Sequence, residues 1–363
     1  MTRESKNIVI VGAGVLGCAA AYELAQNGFR PWVLELGPRI AEGTTSRNSG
    51  VVHAGLYYPP DSLKAQACIR GSHLLFEWCE QNQVSYRRTG KLVVGNPEDL
   101  GELEWLVKNA TASGAKDVRM ATSAELREQK DLKSRCGVWS PNTGIVDPFE
   151  YANSFRVQAE EKGAEFVMNT QVNSIENNAE TYRIETNRGP IDADIIVNCA
   201  GLHSDLVANM ISPDQFEIFP CRGNYFKLSK PLEITRLIYP VKKKNAPGLG
   251  IHLTIDLNNQ QKLGPDAHYI NSKDDYSEPD DIEALRDVFF TSASKYLDGL
   301  NKNSVVYDSC GIRPKLRSPS EAIEKDFYLS EDAPRFFNLI GIESPGLTAS
   351  RDLAQRLAKL ILA

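Results

Sequence analysis

The feature that most restricts this chain is Gly12-Ala13-Gly14-Val15-Leu16-Gly17, which follows the β-branched run Ile8-Val9-Ile10-Val11 without a break. A continuous apolar run of this length reads as a strand covered on both faces. The next segment carries Leu16, Ala19, Ala20 and Leu24 at helical spacing and stops at Asn27-Gly28, and Pro31 to Glu35 reads as a second strand. In this strand–turn–helix setting Gly12 permits the tight turn, Gly14 lets the backbone approach a pyrophosphate, and Gly17 allows close helix packing. Free N–H groups at the helix start, around Val15 and Leu16, face the anion. Glu35 follows Gly17 by 18 residues, where a carboxylate accepts hydrogen bonds from ribose hydroxyls and disfavours a 2′-phosphate. The turn therefore predicts a dinucleotide site, with NADP disfavoured; NAD and FAD both fit it.

Three further segments lean toward FAD. Thr44-Thr45-Ser46-Arg47-Asn48-Ser49-Gly50 is a hydroxyl-rich run able to wrap a second stretch of a long cofactor. Val197-Asn198-Cys199-Ala200-Gly201 supplies a strand and turn to cover the adenosine half. Gly341 to Thr348, including Ser344, Pro345, Gly346 and Leu347, precedes a last helix whose positive end suits the negative charge of a reduced flavin.

With 363 residues and 42% apolar content, the chain has length enough for one or two buried cores. A net charge of −6 gives no basic footprint for nucleic acid. Seven cysteines are odd in number and scattered, without C-x-x-C pairs or zinc spacing, so they read as reduced thiols of a cytoplasmic protein and no metal is expected. No apolar stretch reaches the ~18 residues of a spanning helix. Peripheral contact with the inner face of a membrane stays open.

Further along, helices are expected over residues 63–81, 97–112, 123–131, 148–162, 203–210, 280–296 and 348–362. Strand-like runs fall at 91–94, 164–168, 172–175, 182–186, 193–198, 221–227, 237–241, 249–254, 261–264 and 336–340. The fold class expected is α/β: a Rossmann-like FAD-binding domain interleaved with an α+β substrate domain built on an antiparallel sheet. Residues 1–90, 145–215 and 305–363 are assigned to the first, and 91–144 and 216–304 to the second, with approximate boundaries.

The run from Ser46 through His53-Ala54-Gly55-Leu56-Tyr57-Tyr58-Pro59-Pro60 to Lys64-Ala65, with Arg88-Thr89-Gly90-Lys91-Leu92, resembles the D-amino-acid-oxidase-like flavoproteins, and within them the L-2-hydroxyglutarate oxidases and dehydrogenases. Weaker matches at Thr143 to Asp147, Asn198 to Gly201, Gly250 to Thr254, Leu263 to Pro265 and Ser344 to Thr348 extend the likeness over nearly the whole chain. The resemblance implies a two-domain flavoprotein that moves hydride from a 2-hydroxy-acid carbon to flavin. It also implies that Val172 meets the adenine and that Gly311 and Arg313 approach cofactor and substrate. The sequence departs from the family after Arg313, at Pro314-Lys315-Leu316, and the chain is shorter than typical members.

Oxidising an alcohol needs a proton acceptor, and histidine is best poised for that near neutral pH. His53, beside the flavin loop and followed by two small residues, is the first candidate, and His252, on a strand of the second domain, is the competitor. Arg313, followed by proline, suits a bidentate clamp on a substrate carboxylate. Tyr57 and Tyr225 are pocket candidates, with Tyr58 and Lys91 beside them. The expected reaction is FAD-dependent oxidation of a small L-2-hydroxy acid, foremost L-2-hydroxyglutarate to 2-oxoglutarate, with a quinone, oxygen or another electron acceptor. The alternatives are an amine or amino-acid oxidase, a glycerol-3-phosphate oxidoreductase, and a non-catalytic flavin-binding protein.

Overall fold

The computed structural model describes residues 6–242 and 250–363, so the expected strand start at Leu249 lies outside the described residues. Ile8–Val11 is the centre of a six-stranded sheet in the order Tyr328–Ala333, Phe336–Ile340, Ile195–Asn198, Ile8–Val11, Trp32–Leu34, Glu165–Val167. All neighbours in it run parallel except the first pair. Alternate residues face opposite ways along a strand. Ile8 and Ile10 accordingly pack with the helices Val15–Gln26, Pro148–Glu160 and Gly346–Leu362, while Val9 and Val11 pack with Tyr182 and Ile184 of a three-stranded sheet. Both faces are apolar because both are covered, which is why the run Ile8 to Val11 lacks alternation. On the helical side the rings of Trp78 and Phe155 stack at 4.3 Å and Tyr22 meets Trp78 edge-on at 4.6 Å, tying three helices together.

A nine-stranded sheet forms the second layer system. Its strands pair antiparallel except Leu237–Pro240 with Lys91–Gly95. One face carries Phe226, Leu263 and Phe289, the last from the helix Ile282–Ala293; the other carries Val93, Val138 and Tyr239 against Leu103 and Leu106 of the helix Leu100–Ala112. A small sheet of Val51–Val52, Gly144–Val146 and Tyr86–Arg87 joins the loop after residue 50 to the rest.

The structure corrects the sequence reading in several places. The longest strand, Val305–Lys315, pairs along Phe219–Leu228 and was not expected, because Gly311 and Pro314 punctuate it. The helix expected over 203–210 is a 3₁₀ turn, Gly201–His203, followed by Ser204–Asn209. The helix expected over 123–131 ends at Arg127. The strand expected over 249–254 begins only at Leu253, so His252 precedes it instead of lying within it. The last helix starts at Gly346, two residues earlier than expected.

Candidate active site

A cavity of about 1480 Å³ runs between the two large sheets. Its size exceeds the ~300–1,000 Å³ of an ordinary small-molecule site. It begins at the carboxyl ends of the parallel strands, where Val11, Leu34 and Cys199 line it, which is where open α/β sheets bind ligands. Gly12 turns there at φ +101°, and a Cβ on it would stand 2.6 Å from the Cys199 carbonyl oxygen. A Cβ on Gly17 would stand 1.9 Å from the Gly12 carbonyl oxygen, so only glycine lets the helix start this close to the turn. The N-termini of Val15–Gln26 and Gly346–Leu362 both line the cavity, and the first N–H groups of a helix have no intrahelical partner.

Glu35 stands beside the glycine turn. Its carboxylate accepts from the Ala13 N–H at 2.7 Å and the Gly37 N–H at 2.8 Å. The same carboxylate that is suited to a ribose therefore also fixes the turn. Thr45 Oγ1 accepts from the Val15 N–H at 3.0 Å, and Thr44 Oγ1 donates to the Ile312 carbonyl at 3.0 Å, tying the hydroxyl-rich loop to both sheets. Gly311 is required at this crossing: a Cβ there would lie 2.0 Å from the Arg47 carbonyl oxygen.

Of the residues singled out for the cofactor, Gly12, Gly14, Val15, Leu16, Glu35, Thr44, Arg47, Asn48, Ser49, Val172, Ala200, Gly201, Gly311, Arg313 and Ser344 through Thr348 all line the cavity. Gly17, Ser46 and Gly50 are not among its lining residues. Gly17 serves helix packing, and a Cβ on Gly50 would meet the Val146 carbonyl oxygen at 2.6 Å. Asn48 holds its own loop by donating to the Thr44 and Thr45 carbonyls. The cradle fits a dinucleotide: glycines where side chains would clash, two helix N-termini facing the cavity and a carboxylate at the end of the second strand.

His53, Tyr57, Tyr225, His252 and Arg313 meet in the same cavity. Along Phe219–Leu228 the period of two brings Cys221, Gly223 and Tyr225 into the lining while Phe226 and Leu228 face the core. The His53 N–H donates to Thr348 Oγ1 at 3.0 Å, and its Nε2 lies 3.4 Å from Ser344 Oγ. His252 has Nδ1 at 2.9 Å from the Gly250 carbonyl, and its ring stacks on Tyr239 at 3.8 Å. A neutral ring donating Nδ1–H to that carbonyl leaves Nε2 with a free lone pair. Burial, with Lys91 and then His252 nearby, holds His53 well below the ordinary histidine range. Burial likewise brings His252 down to about 3, opposed by the Gly250 hydrogen bond and reinforced by Lys91 and Arg313. Both rings are therefore neutral at physiological pH.

Arg313 donates to the Asp266 carbonyl at 3.0 Å and reaches Cys221 Sγ at 3.8 Å. Among the described residues no carboxylate pairs with it. Several further residues line the cavity that the sequence does not single out: Tyr239, Asp266, Glu343, His203 and His268. Glu343 bridges the ammonium groups of Lys64 and Lys315 at 3.2 Å each, so the departure at Lys315 is absorbed into an ion-pair cluster. Nothing in the local sequence marks this bridge, since its members are more than twenty residues apart.

A long cradle for a dinucleotide, opening onto neutral imidazoles and an unpaired guanidinium, defines a flavin-dependent oxidoreductase site. The chain belongs to the DAO family of FAD-dependent oxidoreductases, whose family model matches residues 7–360, and FAD is its cofactor. It is 31% identical over 415 residues to a mitochondrial L-2-hydroxyglutarate dehydrogenase of Arabidopsis thaliana, covering 100% of this chain and 84% of that protein. It is 28% identical to a glycerol 3-phosphate dehydrogenase of Caloramator mitchellensis, covering 98% of this chain and 75% of that protein. The FAD-bound, dithionite-reduced L-α-glycerophosphate oxidase of Mycoplasma pneumoniae has the same fold, with a TM-score of 0.88 at 24% identity over 99% of this chain and 95% of that one.

The role of Glu35 can be tested directly. Glu35→Ala removes a charged acceptor whose hydrogen bonds contribute ~1.5–3 kcal/mol each, so FAD affinity is expected to fall about 10–100-fold and the purified variant to be flavin-depleted. Flavin absorbance per chain measures this. Full occupancy at unchanged affinity would confine Glu35 to bracing the turn.

Proposed function

We propose that this enzyme oxidises a small L-2-hydroxy acid, foremost L-2-hydroxyglutarate to 2-oxoglutarate, and passes the electrons to a quinone, oxygen or another acceptor. The observation that carries the reading is the unpaired Arg313 guanidinium sharing one cavity with two neutral imidazoles, an anion clamp beside proton acceptors. The Arabidopsis relative supports the same substrate class. Bound FAD supplies the acceptor for the hydride that leaves the hydroxyl-bearing carbon. Arg313 orients the substrate through its carboxylate, with two parallel N–H donors. His53 accepts the hydroxyl proton, its backbone fixed by Thr348 and its ring beside Ser344; His252 is the second candidate for that proton. Tyr57 and Tyr225 wall the substrate side of the cavity. With this goes a division of labour in which residues 1–90, 145–215 and 305–363 chiefly hold FAD and 91–144 and 216–304 chiefly hold substrate.

A phosphate is also an anion, and the Caloramator relative keeps glycerol 3-phosphate as the second reading. Steady-state turnover with an artificial electron acceptor separates the two: L-2-hydroxy acids are expected to be used and glycerol 3-phosphate not, and the reverse preference would overturn the proposal. A cytoplasmic location is proposed with it, supported by seven cysteines that all remain free thiols. Among the described residues no helix is long and apolar enough to cross a membrane.

The histidines give a pH prediction. A base must be neutral to accept a proton, and both rings have pKa values lowered from 6.5, so protonation disables them only further into acid. Because kcat/KM reports the free enzyme, it is expected to stay level as pH falls from about 7.5 to about 5.5. An acid limb centred near 6.5 would contradict this assignment.

A further inference from the structure

Arg313 stands opposite Cys221 in the pairing of Val305–Lys315 with Phe219–Leu228, which makes Gly223 its diagonal neighbour on the same face. The guanidinium lies over that glycine: a Cβ on Gly223 would stand 2.6 Å from Nη2 of Arg313 and 3.1 Å from its Cζ. Gly223 has no positive φ, so the position needs glycine for room and not for backbone conformation. Above this floor Nη2 donates to the Asp266 carbonyl at 3.0 Å, and Arg313, Gly223 and Asp266 all line the cavity.

The residue whose carbonyl meets the guanidinium also carries a carboxylate, and no ion pair joins that carboxylate to Arg313. It is engaged elsewhere. Oδ1 of Asp266 accepts the Asn224 backbone N–H at 2.6 Å, and Asn224 Nδ2 donates to Oδ1 at 3.2 Å and to Oδ2 at 3.1 Å. His268 Nε2 lies 3.0 Å from Oδ2, and among the described residues neither lysine nor arginine pairs with this carboxylate, although its side chain is only 8% exposed. Asn224 is buried and is itself fixed by Arg222, whose Nε donates to Asn224 Oδ1 at 3.0 Å and whose other nitrogens donate to the Asp275 and Ser277 carbonyls. A guanidinium binds a carboxylate more strongly than a carbonyl, so an aspartate in backbone contact with an arginine is a ready partner for it unless something else holds the charge.

We infer that Asn224 is a positioning residue for substrate recognition: by binding the Asp266 carboxylate it withholds an internal competitor from Arg313 and keeps the guanidinium open for a substrate anion. The inference rests on the reading of Arg313 as the anion clamp and adds how that cation stays unpaired with an aspartate beside it. A carboxylate on the same loop competes intramolecularly, at an effective concentration that a dissolved substrate does not match. Release of Asp266 from Asn224 therefore acts on the clamp as a bound inhibitor would, through the donors that the substrate carboxylate needs.

The test is a double-mutant cycle on the holoenzyme, read as glutarate affinity from the perturbed spectrum of the oxidised flavin. Glutarate has no hydroxyl to oxidise, so binding is measured apart from turnover. Asn224→Ala is expected to weaken glutarate about 10–100-fold, because the freed carboxylate takes the guanidinium. Adding Asp266→Asn keeps the backbone carbonyl on Arg313 and removes the competing charge, so the double variant is expected to return to within ~3-fold of Asp266→Asn alone. A residue that only supported packing would give losses that add. A double variant that binds no better than Asn224→Ala, or an Asn224→Ala that binds glutarate like wild type, would overturn the inference. If Asn224→Ala does not fold, the isosteric Asn224→Asp decides in the same way: it turns the side-chain donor toward Asp266 into a repelling oxygen, with weakening and its rescue by Asp266→Asn expected and the absence of either contradicting the inference. Arg313→Ala separates the inference from the reading beneath it. Glutarate lost in Arg313→Ala but kept in Asn224→Ala overturns the inference alone; glutarate bound equally by wild type and Arg313→Ala, or by neither, overturns the anion clamp and the inference with it.

Discussion

His53→Ala is expected to slow anaerobic flavin reduction by substrate ~10²–10⁴-fold, the usual contribution of a positioned base, with little change in substrate affinity. Proton acceptance occurs on the way to the transition state, so its loss affects the rate and not the ground-state complex. The fold should tolerate the change, because the hydrogen bond that holds this segment to Thr348 comes from the His53 backbone. Rapid mixing of oxidised variant with substrate, followed at the flavin absorbance, gives rate and affinity from one concentration series. A near wild-type rate for His53→Ala together with a collapsed rate for His252→Ala would transfer the role to the ring that stacks on Tyr239.

The second large effect concerns Arg313. A carboxylate clamp engaged equally in ground and transition states should affect KM alone, so Arg313→Ala is expected to raise KM ~10²-fold or more with kcat changed only modestly. Removing one partner of a desolvated charge pair leaves the substrate carboxylate unpaired, and that penalty makes the effect large. Arg313→Lys should recover only part of it, since an ammonium cannot reproduce the planar two-donor geometry. A fall in kcat at unchanged KM would mean that Arg313 stabilises charge only as the reaction proceeds. The Arg313 bond to the Asp266 carbonyl provides a structural control: loss of thermal stability in proportion to loss of activity would point to packing instead of recognition.

The residues that were legible in the sequence share a physical reason. Gly12, Gly14 and Gly17 answer to local backbone geometry, Ile8 to Val11 to burial on both faces, and Glu35 to a fixed distance along one βαβ unit, all within thirty residues. Their signals survive in a single sequence because the cause is nearby. The strand Val305–Lys315 was not legible, since its pairing with Phe219–Leu228 spans about ninety residues and its glycine and proline read locally as punctuation. The Glu343 bridge between Lys64 and Lys315 and the placement of Lys91 between Tyr57 and Tyr239 were hidden for the same reason. His53, His252 and Arg313 could be singled out by chemistry, but that they face one cavity is decided by how the two large sheets meet.

If a 2-hydroxy acid delivers its hydride in this cavity, the substrate alone must reduce the flavin. Anaerobic titration of the purified flavoprotein with L-2-hydroxyglutarate tests it most directly. Full bleaching of the flavin is expected at one equivalent per FAD, with 2-oxoglutarate released in the same amount. A flavin that stays oxidised with L-2-hydroxyglutarate and other L-2-hydroxy acids, but bleaches with glycerol 3-phosphate or an amino acid, would contradict it.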